Sequence, residues 1–121
     1  MTRTFVELPI FRAKWKALGL REDELKRLQE ELLPDPKLGA VMKETGGVRK
    51  MRFALPNRGK SGSIRVIYID FEAYEKTYLL TAYPKSEKDN LSKAERNELR
   101  ELVQLLERQL AEKEENHHVG I

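Results

Sequence analysis

Apolar residues recur along this 121-residue chain with two different periods, and the switches between them mark out its elements. Thr4-Phe5-Val6-Glu7-Leu8 is rich in β-formers and ends at Pro9, a residue suited to the first position of a helix, so a short strand followed by a helix is predicted. Phe11, Trp15 and Leu18 fall at i, i+4 and i+7 on one helical face, and Gly19 then supplies the residue best able to take a left-handed cap. A second helix starts near Arg21. There Glu22, Asp23 and Glu24 complement the positive end of the helix dipole, and Leu25, Leu28 and Leu32 form a core stripe that Pro34 and Pro36 bring to an end. From Lys37 to Gly47 no period survives, and Gly39, Gly46 and Gly47 indicate irregular chain.

Three segments then alternate with period two. In Val48 to Leu55, Met51, Phe53 and Leu55 share one face and Lys50, Arg52 and Ala54 the other. In Ser63 to Asp70, Ile64, Val66 and Tyr68 alternate with Arg65, Ile67 and Ile69, and in Lys76 to Tyr83, Tyr78, Leu80 and Ala82 oppose Leu79, Thr81 and Tyr83. The connections, Pro56 to Gly62 and Phe71 to Glu75, are short enough for hairpins, which predicts an antiparallel meander. Ser92 with Glu95 makes a capping box, and Leu99, Leu102, Val103, Leu106 and Leu110 give the last helix its stripe. Beyond Glu112 the stripe stops, and residues from about 113 to 121 are expected to form a flexible tail. The fold class that follows is a single α+β domain over 1–121, with an N-terminal strand and two helices, a central largely antiparallel sheet and a C-terminal helix.

Composition sharpens this picture. Hydrophobic residues make up 40% and charged residues 36% of the chain, enough for one modest core under a strongly ionic surface. Lys and Arg number 23 against 20 for Asp and Glu, a net charge of +3 that conceals a segregation of signs. From Val48 to Ile69 every residue charged at neutral pH is basic, namely Arg49, Lys50, Arg52, Arg58, Lys60 and Arg65, whereas Glu107, Glu112, Glu114 and Glu115 make the end of the chain acidic. A basic block inside a near-balanced protein points to a local anion site. Cysteine is absent, which removes disulfides, thiolate nucleophiles and zinc ribbons and suits a reducing compartment. No stretch approaches the roughly 20 apolar residues that span a bilayer, so no membrane partner and a cytoplasmic location are expected.

If the strands pair across the Arg58-Gly59-Lys60 turn, Lys50, Arg52 and Arg65 lie on one side of the sheet within reach of a single phosphate. Arg49, Arg58 and Lys60 would then contact the backbone of a nucleic acid. Such cations also occur as a merely solvated sheet face. Their density without any carboxylate favours phosphate binding. Among the aromatic residues Phe53 and Tyr68 read as core, while Tyr83, followed by Pro84-Lys85, is the better candidate to meet an unpaired RNA base. His117 and His118 lie in the expected tail with no ligand partner near them in sequence. Gly59-Lys60-Ser61 lacks the spacing of a P-loop, and neither Gly-x-Ser-x-Gly nor His-Glu-x-x-His occurs, so no cofactor or metal is expected.

Asp35-Pro36-Lys37-Leu38-Gly39, Gly46-Gly47-Val48-Arg49-Lys50-Met51-Arg52, Ser63-Ile64-Arg65-Val66-Ile67-Tyr68 and Leu79-Leu80-Thr81-Ala82-Tyr83-Pro84-Lys85, in that order and spacing, resemble the RelE/ParE toxin superfamily and especially its HigB-like RelE branch. The likeness runs from about Phe5 to Leu106 and implies the RelE-like fold. It also implies a toxin of a type II toxin-antitoxin system that enters the A site of the 70S ribosome and cuts mRNA there, inhibiting translation, with a cognate antitoxin that holds it inactive. Lys50 and Arg52 resemble the paired basic residues of the RelE active-site strand, Arg65 the arginine on the next strand, and Lys85 a further basic position. Where RelE has a catalytic tyrosine near the start of its last helix this chain has Leu91 and Ser92, which leaves Tyr83 or Lys85 as substitutes. The implied chemistry is metal-independent: RNA supplies its own 2′-hydroxyl nucleophile, Lys50 serves as general base, Arg52 and Arg65 brace the phosphorane, and Lys85 or Tyr83 protonates the leaving oxygen. Two other readings of the same residues are a ParE-like inhibitor of gyrase and a basic RNA-binding domain without catalysis. The Lys50, Arg52 and Arg65 cluster favours the nuclease, because a gyrase binder needs no phosphate-bracing cations.

Overall fold

The computed structural model describes residues 2–55, 63–87 and 90–119, with side chains to Glu114. Strand β1 (Thr4–Glu7) leads directly into helix α1 (Pro9–Ala17), whose first residue is the proline that the helix start requires. Phe11 and Trp15 are its buried residues, their rings stacked 5.2 Å apart, and Trp15 donates its indole N–H to the carbonyl of Arg21 at 3.1 Å. Gly19 closes the helix at φ 76°, a conformation open to glycine at little cost. Helix α2 (Glu22–Leu32) begins with the Arg21 backbone N–H donating to the Glu24 carboxylate at 3.1 Å and buries Leu25, Leu28 and Leu32.

Strands β2 (Ala40–Val41), β3 (Arg49–Ala54), β4 (Ser63–Phe71) and β5 (Lys76–Pro84) complete a five-stranded sheet of order β1-β5-β4-β3-β2. The meander from β3 to β5 is antiparallel as expected, and β1 adds to its far edge in parallel with β5. The short β2 is a departure: the segment read as irregular pairs two residues with Lys50 and Arg49. A single 3₁₀ turn, Glu72–Tyr74, links β4 to β5. Helix α3 (Lys93–Val119) opens with the Ser92 and Glu95 box, in which the Ser92 N–H donates to Glu95 at 2.9 Å and the Glu95 N–H to Ser92 Oγ at 3.1 Å. It also runs past Glu112 to Val119, so the expected tail is helical over most of its length. Glu- and Lys-rich sequence carries high helix propensity even where it buries nothing.

Two cores flank the sheet. On one side Phe11, Trp15, Leu25, Leu28 and Leu32 pack with Met51, Phe53, Ile64, Val66, Tyr68, Leu79 and Ala82. On the other Val103, Leu106 and Leu110 of α3 pack with Val48, Ile67, Ile69, Phe71, Leu80 and Tyr83. The strict alternation predicted for β5 is broken. Ile67 pairs with Thr81 but Tyr68 with Leu79, so Leu80 is an extra residue at a bulge. Leu79 and Ala82 therefore share the α1–α2 side, while Leu80 and Tyr83 turn to the α3 side.

Local devices hold the segment between α2 and β3 in place. The fully buried Tyr68 hydroxyl donates to the Pro36 carbonyl at 2.9 Å and accepts the Gly39 N–H at 2.8 Å. A side chain at Gly39 would bring a Cβ to 2.8 Å from the Lys50 carbonyl, which explains glycine there. The buried Thr45 hydroxyl donates to Met42 O at 2.7 Å and accepts the Val48 N–H at 3.1 Å, closing the turn into β3. At the opposite end of β4, Arg3 forks onto Asp70 at 2.8 and 3.2 Å, and Thr77 donates to the same carboxylate at 2.7 Å.

Tyr68→Phe deletes both phenolic hydrogen bonds without changing ring volume and leaves the Gly39 N–H without its acceptor. Urea titration should show a loss of about 1–3 kcal/mol, and no change would remove the hydroxyl from the fold's stability. Burial raises the Tyr68 hydroxyl above its ordinary value of 10.0, so the unfolded chain ionises first as pH rises. The stability that Tyr68 contributes is complete below 10.0 and declines above it, and the phenylalanine variant should show a shallower alkaline decline.

Candidate active site

Register places the predicted cations. Arg52 on β3 pairs with Arg65 on β4, and Arg65 pairs with Tyr83 on β5, so the three form one row across three strands. In the next row on the same face, Lys50 pairs with Ile67 and Ile67 with Thr81. Neighbouring strands lie about 4.8 Å apart and alternate residues of one strand about 7 Å apart, which brings Lys50, Arg52 and Arg65 within side-chain reach of one phosphodiester. Helix α3 covers Ile67, Ile69 and Phe71 further along β4. Arg52 is exposed and Lys50 and Arg65 half-buried, so the cations sit where the sheet face opens to solvent.

The row is electrostatically costly. Two guanidinium groups face each other across a strand pair, an arrangement that disfavours folding unless an anion lies between them. Moreover, the Arg65 Nη1 atom is buried with no hydrogen-bond acceptor among the described residues. A buried donor without an acceptor is rare in folded proteins and calls for an explanation, which a bound anion would supply. Tyr83 shares the face through the β5 bulge, but it is 4% exposed, not a rim residue. It lines a groove of about 360 Å³ together with Leu80, Leu91, Leu99, Glu87 and Glu98.

The other predicted residues separate. Arg49 lies on the opposite face, its guanidinium donating to the carbonyls of Gly39 at 2.7 Å and Lys37 at 3.2 Å, where it ties down the loop before β2. Lys85 stands exposed in the turn that follows β5. Arg58 and Lys60 lie outside the described residues. No group of three His, Cys, Asp or Glu side chains arranged to hold a metal occurs among the described residues.

Sequence reasoning missed Arg96. It lines a pocket of about 270 Å³ beside β2 together with Lys43, Lys50, Asn90 and Leu91, and its Nε is buried with no acceptor among the described residues. The signal was present: Arg96, Leu99, Val103, Leu106 and Leu110 follow one another at three- and four-residue steps, so a cation occupies the first position of the apolar stripe of α3.

Comparison with known proteins agrees with this architecture. The family described as RelE toxin of RelE/RelB toxin-antitoxin system matches residues 10–118. Among solved structures, a doubly substituted mutant of the E. coli toxin RelE in the free state superposes with a TM-score of 0.54 at 14% sequence identity, over 74% of this chain and 90% of that one. At that identity the likeness is one of fold.

The strain in the row predicts that Arg65→Met stabilises the protein. It removes the unsatisfied donor and the like-charge pair while keeping an unbranched stem, and chemical denaturation should show a gain of about 1 kcal/mol or more. A folded but destabilised variant would show that Arg65 has a structural partner.

Proposed function

The chain belongs to the RelE toxin family of RelE/RelB toxin-antitoxin systems, and on that footing we propose that it is a ribosome-dependent mRNA endoribonuclease of the HigB-like branch, countered by a cognate antitoxin. The observation that carries the reading is the Arg52–Arg65–Tyr83 row with Lys50 one row away on the same face. It provides several positive charges on one face of the sheet, together with a buried donor that has no acceptor among the described residues.

In this reading the mRNA strand enters with its scissile phosphate against Arg52 and Arg65. Lys50 serves as the general base and takes the proton of the neighbouring 2′-hydroxyl as that oxygen bonds to phosphorus. Charge builds on the non-bridging oxygens of the pentacovalent phosphorane, and the two guanidinium groups stabilise it more than they stabilise the ground state. The bond from phosphorus to the 5′ oxygen then breaks and that oxygen accepts a proton, leaving a 2′,3′-cyclic phosphate and a 5′-hydroxyl end. Lys85 is the better placed acid, because it is exposed just beyond β5 whereas the Tyr83 ring is packed into the α3 core. Tyr83 then serves as the floor against which Arg65 is held. The reaction asks for no bound metal, since in-line alignment, proton transfer and charge stabilisation are all met by side chains. The ribosome would hold the message in the extended form that the site accepts. An acidic antitoxin segment laid over the same cations would block it.

The test is an in vitro translation reaction with mapping of mRNA 5′ ends. Wild-type protein should give codon-phased cuts with 5′-hydroxyl ends. Arg65→Ala should lower cleavage by about a hundredfold or more, the scale for losing one transition-state donor, with no fall in melting temperature. Near-normal cleavage by folded Arg65→Ala protein would remove Arg65 from the chemistry. Gyrase-dependent DNA breaks in place of mRNA cuts would establish the ParE-like alternative.

A further inference from the structure

Helix α3 departs from its apolar stripe at Arg96, and the polar residues that line the pocket beside it are basic or neutral. Lys43, Lys50, Asn90 and Arg96 surround the pocket of about 270 Å³ between β2 and the start of α3, and no Asp or Glu lines it among the described residues. Arg96 Nε is buried there without an acceptor among the described residues, so that edge of the guanidinium has given up water with no hydrogen bond from them in return. Lys43 is carried to the pocket by the turn that the buried Thr45 hydroxyl closes, and a side chain at Gly46 in that turn would meet Val103 and Arg100 of the same helix. The pocket is therefore built between two anchored elements.

We propose that this pocket is a second phosphate subsite, in which Arg96 and Lys43 hold the phosphodiester adjoining the scissile one. The inference rests on the nuclease reading above and extends it to residues outside the Arg52–Arg65 row. Lys50 belongs to both places: it lines the pocket and lies two residues from Arg52 on the same face of β3. Two residues along a strand cover about 7 Å, comparable to one nucleotide step of an extended single strand. A chain whose scissile phosphate sits on Arg52 and Arg65 thus brings its neighbour to Lys50 and the pocket. Arg96 offers a planar fork of donors, the geometry that binds phosphate oxygens in pairs. A carboxylate from a protein partner would satisfy the same donors less well, because a repeating spacing of anions matches the two cation groups and an isolated side chain matches one.

The test uses the full-length protein and deoxyribo-oligonucleotides, which lack the 2′-hydroxyl and cannot be cut: a dinucleotide with one phosphodiester and a trinucleotide with two. In nitrogen-resolved NMR spectra of arginine side chains, the dinucleotide should shift the Arg65 Nε–H signal, and the trinucleotide should shift Arg65 and Arg96 together. The trinucleotide should bind wild type about tenfold more tightly than Arg96→Ala, and its salt dependence should lose about one unit of slope in the variant, with Arg96→Lys recovering the slope. A purely structural Arg96 would change melting and leave that slope alone. Movement of Arg65 without Arg96 at saturating trinucleotide would overturn the subsite and spare the nuclease reading. Movement of neither would overturn both. Arg96 responding to an acidic peptide but not to the trinucleotide would reassign the pocket to a protein partner.

Discussion

Strand β4 is covered on both faces, and the arrangement of the molecule follows from that. Of its nine residues, only Ser63, Arg65 and Asp70 are less than buried. A strand so placed has little solvent face on which to leave charge, and each charged side chain in it needs an explanation. Asp70 has one, since Arg3 and Thr77 saturate its carboxylate. Arg65 keeps a buried nitrogen with no acceptor among the described residues. The two ends of the strand thus differ in kind: one is a closed ion pair that ties the N-terminus to the sheet, the other a buried donor without an acceptor among the described residues.

The surroundings of the site are correspondingly rigid. Tyr68 follows Arg65 by three residues and points into the opposite core, where its hydroxyl fixes the backbone at Pro36 and Gly39. Arg49, the register partner of Tyr68 on the same face, fixes that loop as well through the carbonyls of Lys37 and Gly39. These contacts define the course of β2, and β2 is a wall of the pocket that Lys50 shares with Arg96. One arginine of the basic block thus acts as scaffolding for the others. Side chains that bind charge in a transition state gain most when their supports do not reorganise.

How far the sequence foretold all this depends on what each signal encoded. Helices α1 and α2 were legible because Phe11, Trp15, Leu25, Leu28 and Leu32 repeat at one period and every one is buried. The cation row was legible because Met51 and Phe53, and Ile64 and Val66, bracket Arg52 and Arg65 with core residues of the other face. The bulge in β5 was not. Leu79-Leu80-Thr81-Ala82 is nearly apolar throughout, so a slip of one residue exchanges like for like and leaves no trace in the pattern, yet it decides which face Tyr83 joins. Arg49 was misplaced for a different reason. Charge density along the chain says nothing of face, and alternation alone would have set Arg49 opposite Lys50. Arg96 was passed over because it is a cation on a stripe read only for its leucines and valine.

Stability and function therefore make opposite demands on the same face. The site gathers Arg52, Arg65, Lys50 and Arg96 along a short stretch of sheet and helix, and nothing within the described residues neutralises the two buried nitrogens. A polyanion that fitted these cations would bind the folded chain in preference to the unfolded one and would raise its apparent stability by mass action. An RNA strand and an acidic inhibitor would thus draw on one and the same electrostatic deficit. Competition between them requires no conformational switch, because occupation of the cations by either removes the driving force for the other. On the reading proposed above, binding of either partner to these cations would weaken as salt rises.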